Sequence, residues 1–201
     1  MEATLLVAAR RGLGGTTVRE VATEMGSSSG LIHHYFASMD QLLAEAFELA
    51  AGSDLARAAD FVNRQSSVPD RLAAYLTGHA PSQTDSTMQL WLDAWSEAAR
   101  RPPLREVSRR LNLEWQTMLT RIIEAGVASG EFRCPDPTAA AWRILSVLDG
   151  MALQIVAHGT TVDRADAIDW SVTAASTELD VPLTYLETAV ARVLGGQPVG
   201  I

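Results

Sequence analysis

The stretch from Thr17 to Leu43, TVREVATEMGSSSGLIHHYFASMDQLL, places hydroxyls, imidazoles and a phenol among closely spaced helix-start and helix-stop signals. Thr17 stands three residues before Glu20, the capping-box spacing that opens a helix. Val21, Ala22 and Met25 give that helix an apolar side, and Gly26 ends it. Ser27 to Ser29 can cap a second helix anchored by Ile32 and Phe36. Ser38 ahead of Gln41 repeats the box and opens a third. Two short helices joined by a tight turn predict a helix-turn-helix, whose second helix enters the major groove of DNA.

A second constellation lies further along: Met88, Trp91, Trp95, Trp115, Met118 and Asp149. Helical spacing puts Trp91 and Trp95 on one face. An apolar stripe of this kind is ordinarily core. Tryptophan faces beside a carboxylate also make a cage for a quaternary ammonium or another organic cation. Asp149 interrupts an otherwise apolar run, and a buried carboxylate needs a partner. Arg143, the end of a neighbouring helix and a cationic ligand all remain open as that partner, and Asp93 and Glu114 lie nearby in sequence. His79 and His158 read as helix-end residues suited to the local dipole. Cys134, just before Pro135, reads as a loop thiol; an oxidant sensor is the sharper alternative. No Ser/His/Asp grouping, carboxylate pair, phosphate-binding glycine loop or metal-ligand spacing occurs. Adjacent His33 and His34 point about 100° apart on a helix and cannot chelate together. Neither enzyme nor cofactor nor metal site is expected.

The elements that must hold these residues are all helical. Apolar residues recur at helical spacing over 41–63, 69–80, 86–100 and 104–129, and no strand-like alternation or repeat is found. In the first of these, Leu42, Leu43, Ala46, Leu49 and Ala50 are expected on the buried side. Pro137 opens a helix to about His158 that is apolar nearly all round and must be covered on every side, for which a second copy of the chain is the obvious cover. Asp163 caps a further helix (Ala165, Ile168, Val172, Leu179), and Pro182 starts a last one (Leu183, Leu186, Val190, Leu194). The expected fold is all-α. A small unit, 1–45, precedes a larger helical ligand-binding and dimerisation unit, 46–201. No run of about 18 apolar residues is found, so no membrane span is expected. A single cysteine and no leader pattern point to a cytoplasmic location.

Charge weighs the other way. The chain carries a net −8, contains no lysine, and its first 50 residues hold only Arg10, Arg11 and Arg19 against six acids. Phosphate binding is driven by Lys and Arg. DNA binding must therefore rest on a local arrangement of donors.

The stretch from Thr16 to Leu43 resembles the DNA-binding domain of the TetR family of bacterial repressors, whose usual pattern is TxREIAxxAGVSxGxxYxHFxSKxxLL. The run SSSGLIHHYF is most similar to the choline/betaine-type branch. So, more loosely, are WLDAW at 91–95, EAGVASGEF at 124–132 and LDGMALQ at 148–154. The resemblance covers nearly the whole chain. It implies a homodimeric repressor that binds double-stranded operator DNA, and a C-terminal domain whose small-molecule effector changes operator affinity. By position, the recognition helix is Ser28 to Tyr35. Ser28 and Ser29 lie at its N-terminal end, where hydroxyls, N–H groups and the dipole suit phosphates and base edges; the bland alternative is capping. Gly30 costs a helix about 1 kcal/mol relative to Ala, which fits a backbone that must approach the groove closely. Leu31 is expected either to meet a thymine methyl or to pack on the first helix. His33 and His34 face bases or phosphates, and the Tyr35 hydroxyl and Thr17 face phosphates. The family's pocket among the middle helices corresponds to Met88, Trp91, Trp95, Trp115, Met118 and Asp149.

The chain departs from the pattern at Met39, where the family usually has a phosphate-binding Lys. Met1 also aligns inside the first helix, and the natural chain is expected to start upstream. These departures favour an alternative: a helical small-molecule- or partner-binding protein of the same fold without DNA affinity. An activator on this fold has the same sequence signature.

Overall fold

The computed structural model describes residues 1–195. They form ten α-helices and one π-helical turn, with no strand among the described residues. The helices are α1 (Glu2–Gly15), α2 (Val18–Glu24), α3 (Ser29–Tyr35), α4 (Met39–Asn63), α5 (Val68–His79), α6 (Ser86–Ala98), α7 (Pro102–Ser129), α8 (Pro137–Ala152), α9 (Arg164–Glu178) and α10 (Leu183–Gly195), with the π turn at Leu153–Ala157. The expected all-α architecture is what the chain adopts.

Most helices start where a short polar side chain can accept an orphan N–H. The Thr17 hydroxyl accepts from the Glu20 N–H, and the Glu20 carboxylate accepts from the Thr17 N–H at 3.2 Å, a complete capping box. Ser38 accepts from the Gln41 N–H at 3.1 Å, but the Gln41 side chain reaches one residue further back, to the Ala37 N–H. Ser67, Asp85, Asp136 and Asp163 cap α5, α6, α8 and α9, the last through a box with Asp166. Ser28 is the N-cap of α3 but makes no side-chain capping bond. Helix α1 breaks at Gly12, which adopts φ +72°. The Leu13 N–H just past the break donates to Asp93 Oδ2 on α6 at 3.3 Å.

The described chain divides into two compact units, each drawn from two segments: residues 1–55 with 85–113, and residues 56–84 with 114–195. In the first, Val7, Val21, Ala22, Ile32 and Leu42 form a small core, with Val18, Phe36 and Met39 packed against it. In the second, the buried faces of α5, α8, α9 and α10 include Leu72, Leu76, Ile144, Leu145, Leu148, Val172 and Leu186.

Several apolar residues expected inside lie outside. Met25 follows the last turn of a seven-residue helix, beyond the stripe that ends at Ala22, and is exposed. Leu49 is exposed because the α4 stripe runs through Leu43, Ala46, Phe47 and Ala51, on the opposite side of the helix. Ala99 and Ala165 sit at helix ends, and Leu183 and Leu194 in the first and last turns of α10; all four are exposed. Among the described residues, Pro137–Ala157 is the helical stretch that bears on the expectation about membranes. It is long and apolar enough to cross one by length and composition alone, with a mean hydropathy of 1.4, despite Arg143 and Asp149. Ala140, Ala141, Ile144, Leu145, Leu148, Ala152 and Ile155 along it are buried inside the protein.

Candidate nucleic-acid interface and effector site

In the first unit, Ile32 is the buried anchor of α3, and Gly30, Leu31, His33, His34 and Tyr35 are exposed. Leu31 is 41% exposed, so it points to solvent rather than into the first helix. Tyr35 is 70% exposed, and the His34 ring meets its edge at 5.1 Å. A side chain added at Gly30 would meet only the Ser28 hydroxyl, at 3.7 Å, which is ordinary contact. Nothing inside the protein requires glycine there. Ser28 is exposed, Ser29 half-buried, and Thr17 holds its box at the start of α2.

The arginines of this region are mostly spent internally. Arg10 pairs with Glu24, and Arg11 Nε lies 2.7 Å from Glu20 Oε1, clasping α1 to α2. With Thr17, Thr23 and Arg19 these residues line an open cleft of about 620 Å³. Arg19 is exposed and makes no side-chain ion pair among the described residues. Met39 is partly buried against the small core.

The expected effector residues divide between the units. In the first, Met88 and Trp91 are buried and Trp95 is half-buried on α6. Trp91 and Trp95 lie 5.8 Å apart, as the spacing predicts, and Phe47 meets Trp91 edge-on at 4.9 Å. Asp93, beside them in sequence, is engaged by the backbone of α1 instead.

In the second unit Trp115 is buried on α7, Met118 half-buried, and Asp149 29% exposed on α8. Asp149 is therefore less buried than its apolar surroundings in sequence imply. Its neighbour is not Arg143 but the last residue of α5. Arg143 is held by Glu178, with Nε donating to Oε1 at 2.6 Å. Asp149 Oδ1 instead faces His79 Nε2 at 3.6 Å. His79 ends α5, as its reading as a helix-end residue anticipates, but its ring turns inward. Tyr75 stacks on it at 5.8 Å and 7°, and Trp115 meets it edge-on at 4.7 Å and 82°. The Tyr75 hydroxyl donates to the Trp115 carbonyl at 3.2 Å. Burial, and then the charge of Asp149, push the Tyr75 phenol well above its ordinary range, so it stays protonated. Tyr75 and His79 were missed from sequence; aromatic rings four apart on α5 were the available signal. Just past Asp149 the helix widens, and the Leu153 N–H is shared between the Asp149 and Gly150 carbonyls. Such π turns recur at functional sites.

Cys134 is half-buried, and no three His, Cys, Asp or Glu residues among those described are grouped to hold a metal.

Known proteins match both parts of the chain. Residues 1–46 match the family described as bacterial regulatory proteins, tetR family, and residues 69–180 match the BetI-type transcriptional repressor C-terminal domain. The HTH-type transcriptional regulator BetI of Paraburkholderia xenovorans is 31% identical over 176 residues, covering 84% of this chain and 85% of that protein. Among solved structures, a putative transcriptional regulator from Saccharomonospora viridis in complex with choline is 21% identical, with a TM-score of 0.79 over 89% of this chain and 94% of that one. A TetR transcription regulator from Haloarcula marismortui superposes with a TM-score of 0.80 at 21% identity, over 89% and 95%. Matches of this extent over head and helical core together show that the chain belongs to the TetR family of bacterial regulatory proteins, with a BetI-type C-terminal domain, and is a ligand-responsive transcriptional regulator.

Proposed function

We propose that the chain acts in the cytoplasm as a homodimeric repressor and that a small organic cation releases it from its operator. Two copies of α3 enter successive major grooves about 34 Å apart and read a near-palindrome. The single observation that carries the DNA reading is the face of α3: a buried Ile32 opposite exposed Leu31, His33, His34 and Tyr35, with room at Gly30 for close approach. Ser28, Ser29, Tyr35 and Thr17 are assigned to phosphates and the N-terminal base edges, the histidines to bases or phosphates.

Dimerisation is assigned to α8 and α9. Trp142 and Leu153, on α8 and the turn after it, and Trp170 on α9 are large apolar side chains left 36%, 43% and 47% exposed. A second copy covers such faces in a four-helix arrangement. The cation is assigned to the aromatic rings and carboxylate of the second unit, Trp115 and Asp149 with Tyr75 and His79, because ring faces and a nearby anion attract an ammonium. The choline held by the Saccharomonospora viridis protein is of this chemical class. Met118 is assigned to the same unit's effector residues, and Met88, Trp91 and Trp95, in the first unit, are proposed as effector residues in their own right. An effector acts only through its differential affinity for the bound and free states, typically worth about 1–3 kcal/mol.

The test is fluorescence anisotropy of the purified protein on its own upstream intergenic duplex, with unrelated duplex as competitor and choline as the first effector. Specific binding that choline weakens supports the proposal. A folded dimer that fails to discriminate between the duplexes at low salt overturns the DNA reading and leaves the effector-binding protein without DNA affinity. Specific binding unchanged by choline and other ammonium compounds overturns the cation reading alone.

A further inference from the structure

Helix α3 holds no Arg, Lys, Asp or Glu, so His33 and His34 are the side chains through which it can become positively charged. Both are exposed and lie in its last turn, where the helix dipole favours a cation. The one interaction of either ring among the described residues is the edge contact of His34 with Tyr35. The charged groups of the neighbouring helices are engaged elsewhere. Glu20 pairs with Arg11 and Glu24 with Arg10, Asp40 with Arg101, and Glu48 with Arg110. Glu45 accepts from the Gln41 amide, while Glu2 and Arg19 are exposed to solvent. No carboxylate among the described residues holds either imidazole.

A neutral imidazole donates through one nitrogen and accepts through the other, whereas the protonated ring donates through both. Phosphate oxygens and the guanine edge in the major groove only accept. The duplex therefore favours the charged ring. Adjacent residues of a helix point about 100° apart, so the two rings serve separate acceptors. The charge balance acts in the same direction. Residues 1–50 hold three arginines against six acids, a net −3, with Met39 where the family pattern has lysine; two protonated imidazoles bring them to −1. Arg10 and Arg11 are already paired, which leaves Arg19 as the exposed guanidinium of the head without an ion pair among the described residues.

We infer that operator binding takes up protons at His33 and His34, which makes the head a pH-responsive reader of DNA. The inference rests on the DNA reading above and adds to it a regulatory input that is independent of the effector. Imidazole changes charge between about pH 5 and 8. The bound duplex holds the rings charged at pH values where the free head has released its protons, so affinity rises as pH falls through that range. Below it free and bound heads are both charged, above it neither is, and at both ends the affinity levels off. The slope of log affinity against pH equals minus the number of protons taken up. Among the four imidazoles of a dimer, one proton taken up gives about tenfold per pH unit and two give about a hundredfold.

Fluorescence anisotropy of the full chain on its own upstream intergenic duplex tests this, at constant ionic strength from about pH 6 to about pH 8.5, with unrelated duplex as competitor. Wild-type affinity is expected to rise at least about tenfold from pH of about 8 to about 6.5. His33→Gln with His34→Gln keeps neutral hydrogen-bonding side chains at two exposed positions and removes the charge. Its affinity should change by less than about threefold over the same range. The salt slope is a second readout: near pH of about 6 it should be steeper than near about 8 by about 0.9 for each imidazolium on a phosphate, in the wild type alone. The two single variants carry the test if the double variant does not fold, each lowering the pH slope. Specific wild-type binding that is flat in pH, or a pH dependence that the variants share in full, overturns the inference and leaves the DNA reading standing. A folded wild type that binds no duplex specifically at any of these pH values removes the DNA reading and this inference with it.

Discussion

Operator binding by this acidic, lysine-free chain should depend weakly on salt, and two substitutions should make it steep. Arg10 and Arg11 line the cleft beside Thr17 but are paired with Glu24 and Glu20, whereas Arg19 stands exposed. Each phosphate neutralised contributes about −0.9 to the slope of log affinity against log salt. With Arg19 alone from each head, a dimer has about two such contacts and a slope near −1.8; raising salt from about 50 to 200 mM then weakens binding about 12-fold. Glu20→Gln with Glu24→Gln leaves side chains of the same shape and frees two arginines per head. Gln at position 20 still completes a capping box, and exposed pairs of this kind contribute only about 0–1 kcal/mol each, so the head stays folded. If all four released arginines reach phosphates, the slope approaches about −5.4 and the same salt change costs about 2,000-fold. Fluorescence anisotropy across that salt range measures both slopes. A wild-type slope already near −5, or parallel lines for the two proteins, would refute the argument that the acidic partners hold these arginines away from DNA.

Tyr35→Phe should weaken operator binding about tenfold per head and evenly across sequence variants of the site; a loss confined to one base pair would contradict the phosphate role. Trp95→Ala should abolish the effector response in the same anisotropy assay with DNA affinity kept, and a surviving response would make Trp95 plain packing. Gly126→Ala places a Cβ 2.1 Å from the buried Phe132 ring, an overlap that should cost about 1–3 kcal/mol in urea unfolding. Tyr75 links stability to alkaline pH. Its folded phenol sits well above the ordinary value of about 10, so above that pH the unfolded chain releases a proton that the folded chain keeps. Stability contributed by this group is complete below pH of about 10 and then falls, by up to about 1.4 kcal/mol per pH unit. Tyr75→Phe should flatten this decline in alkaline denaturant melts while lowering neutral stability through the lost bond to the Trp115 carbonyl.

The head was legible from sequence because its signals are local. A capping box spans three residues, a glycine stop one, and an apolar face repeats within a turn; Thr17 with Glu20, the break at Gly26 and the buried Ile32 are all set within that range. The same rules carried Trp91 onto the face of Trp95, and Asp163 onto the start of α9. Local periodicity was less secure at helix ends, where Met25 and Leu194 are left exposed among the described residues.

What helix packing decided is which distant side chains meet. Asp149 invited a partner by standing in an apolar run, and charge alone nominated Arg143. The rotation of α8 against α5 and α9 gave Arg143 to Glu178 and set Asp149 opposite His79 instead. Asp93 was drawn to the backbone of α1 because a glycine break there left the Leu13 N–H without a partner inside its helix. A helix spacing rule reaches four residues. The turn of one helix about its axis relative to another is set by the fit of many side chains at once. The caps and faces of the TetR-type head are thus properties of the chain's local order, while the aromatic group around His79 exists only once α5, α7 and α8 have packed.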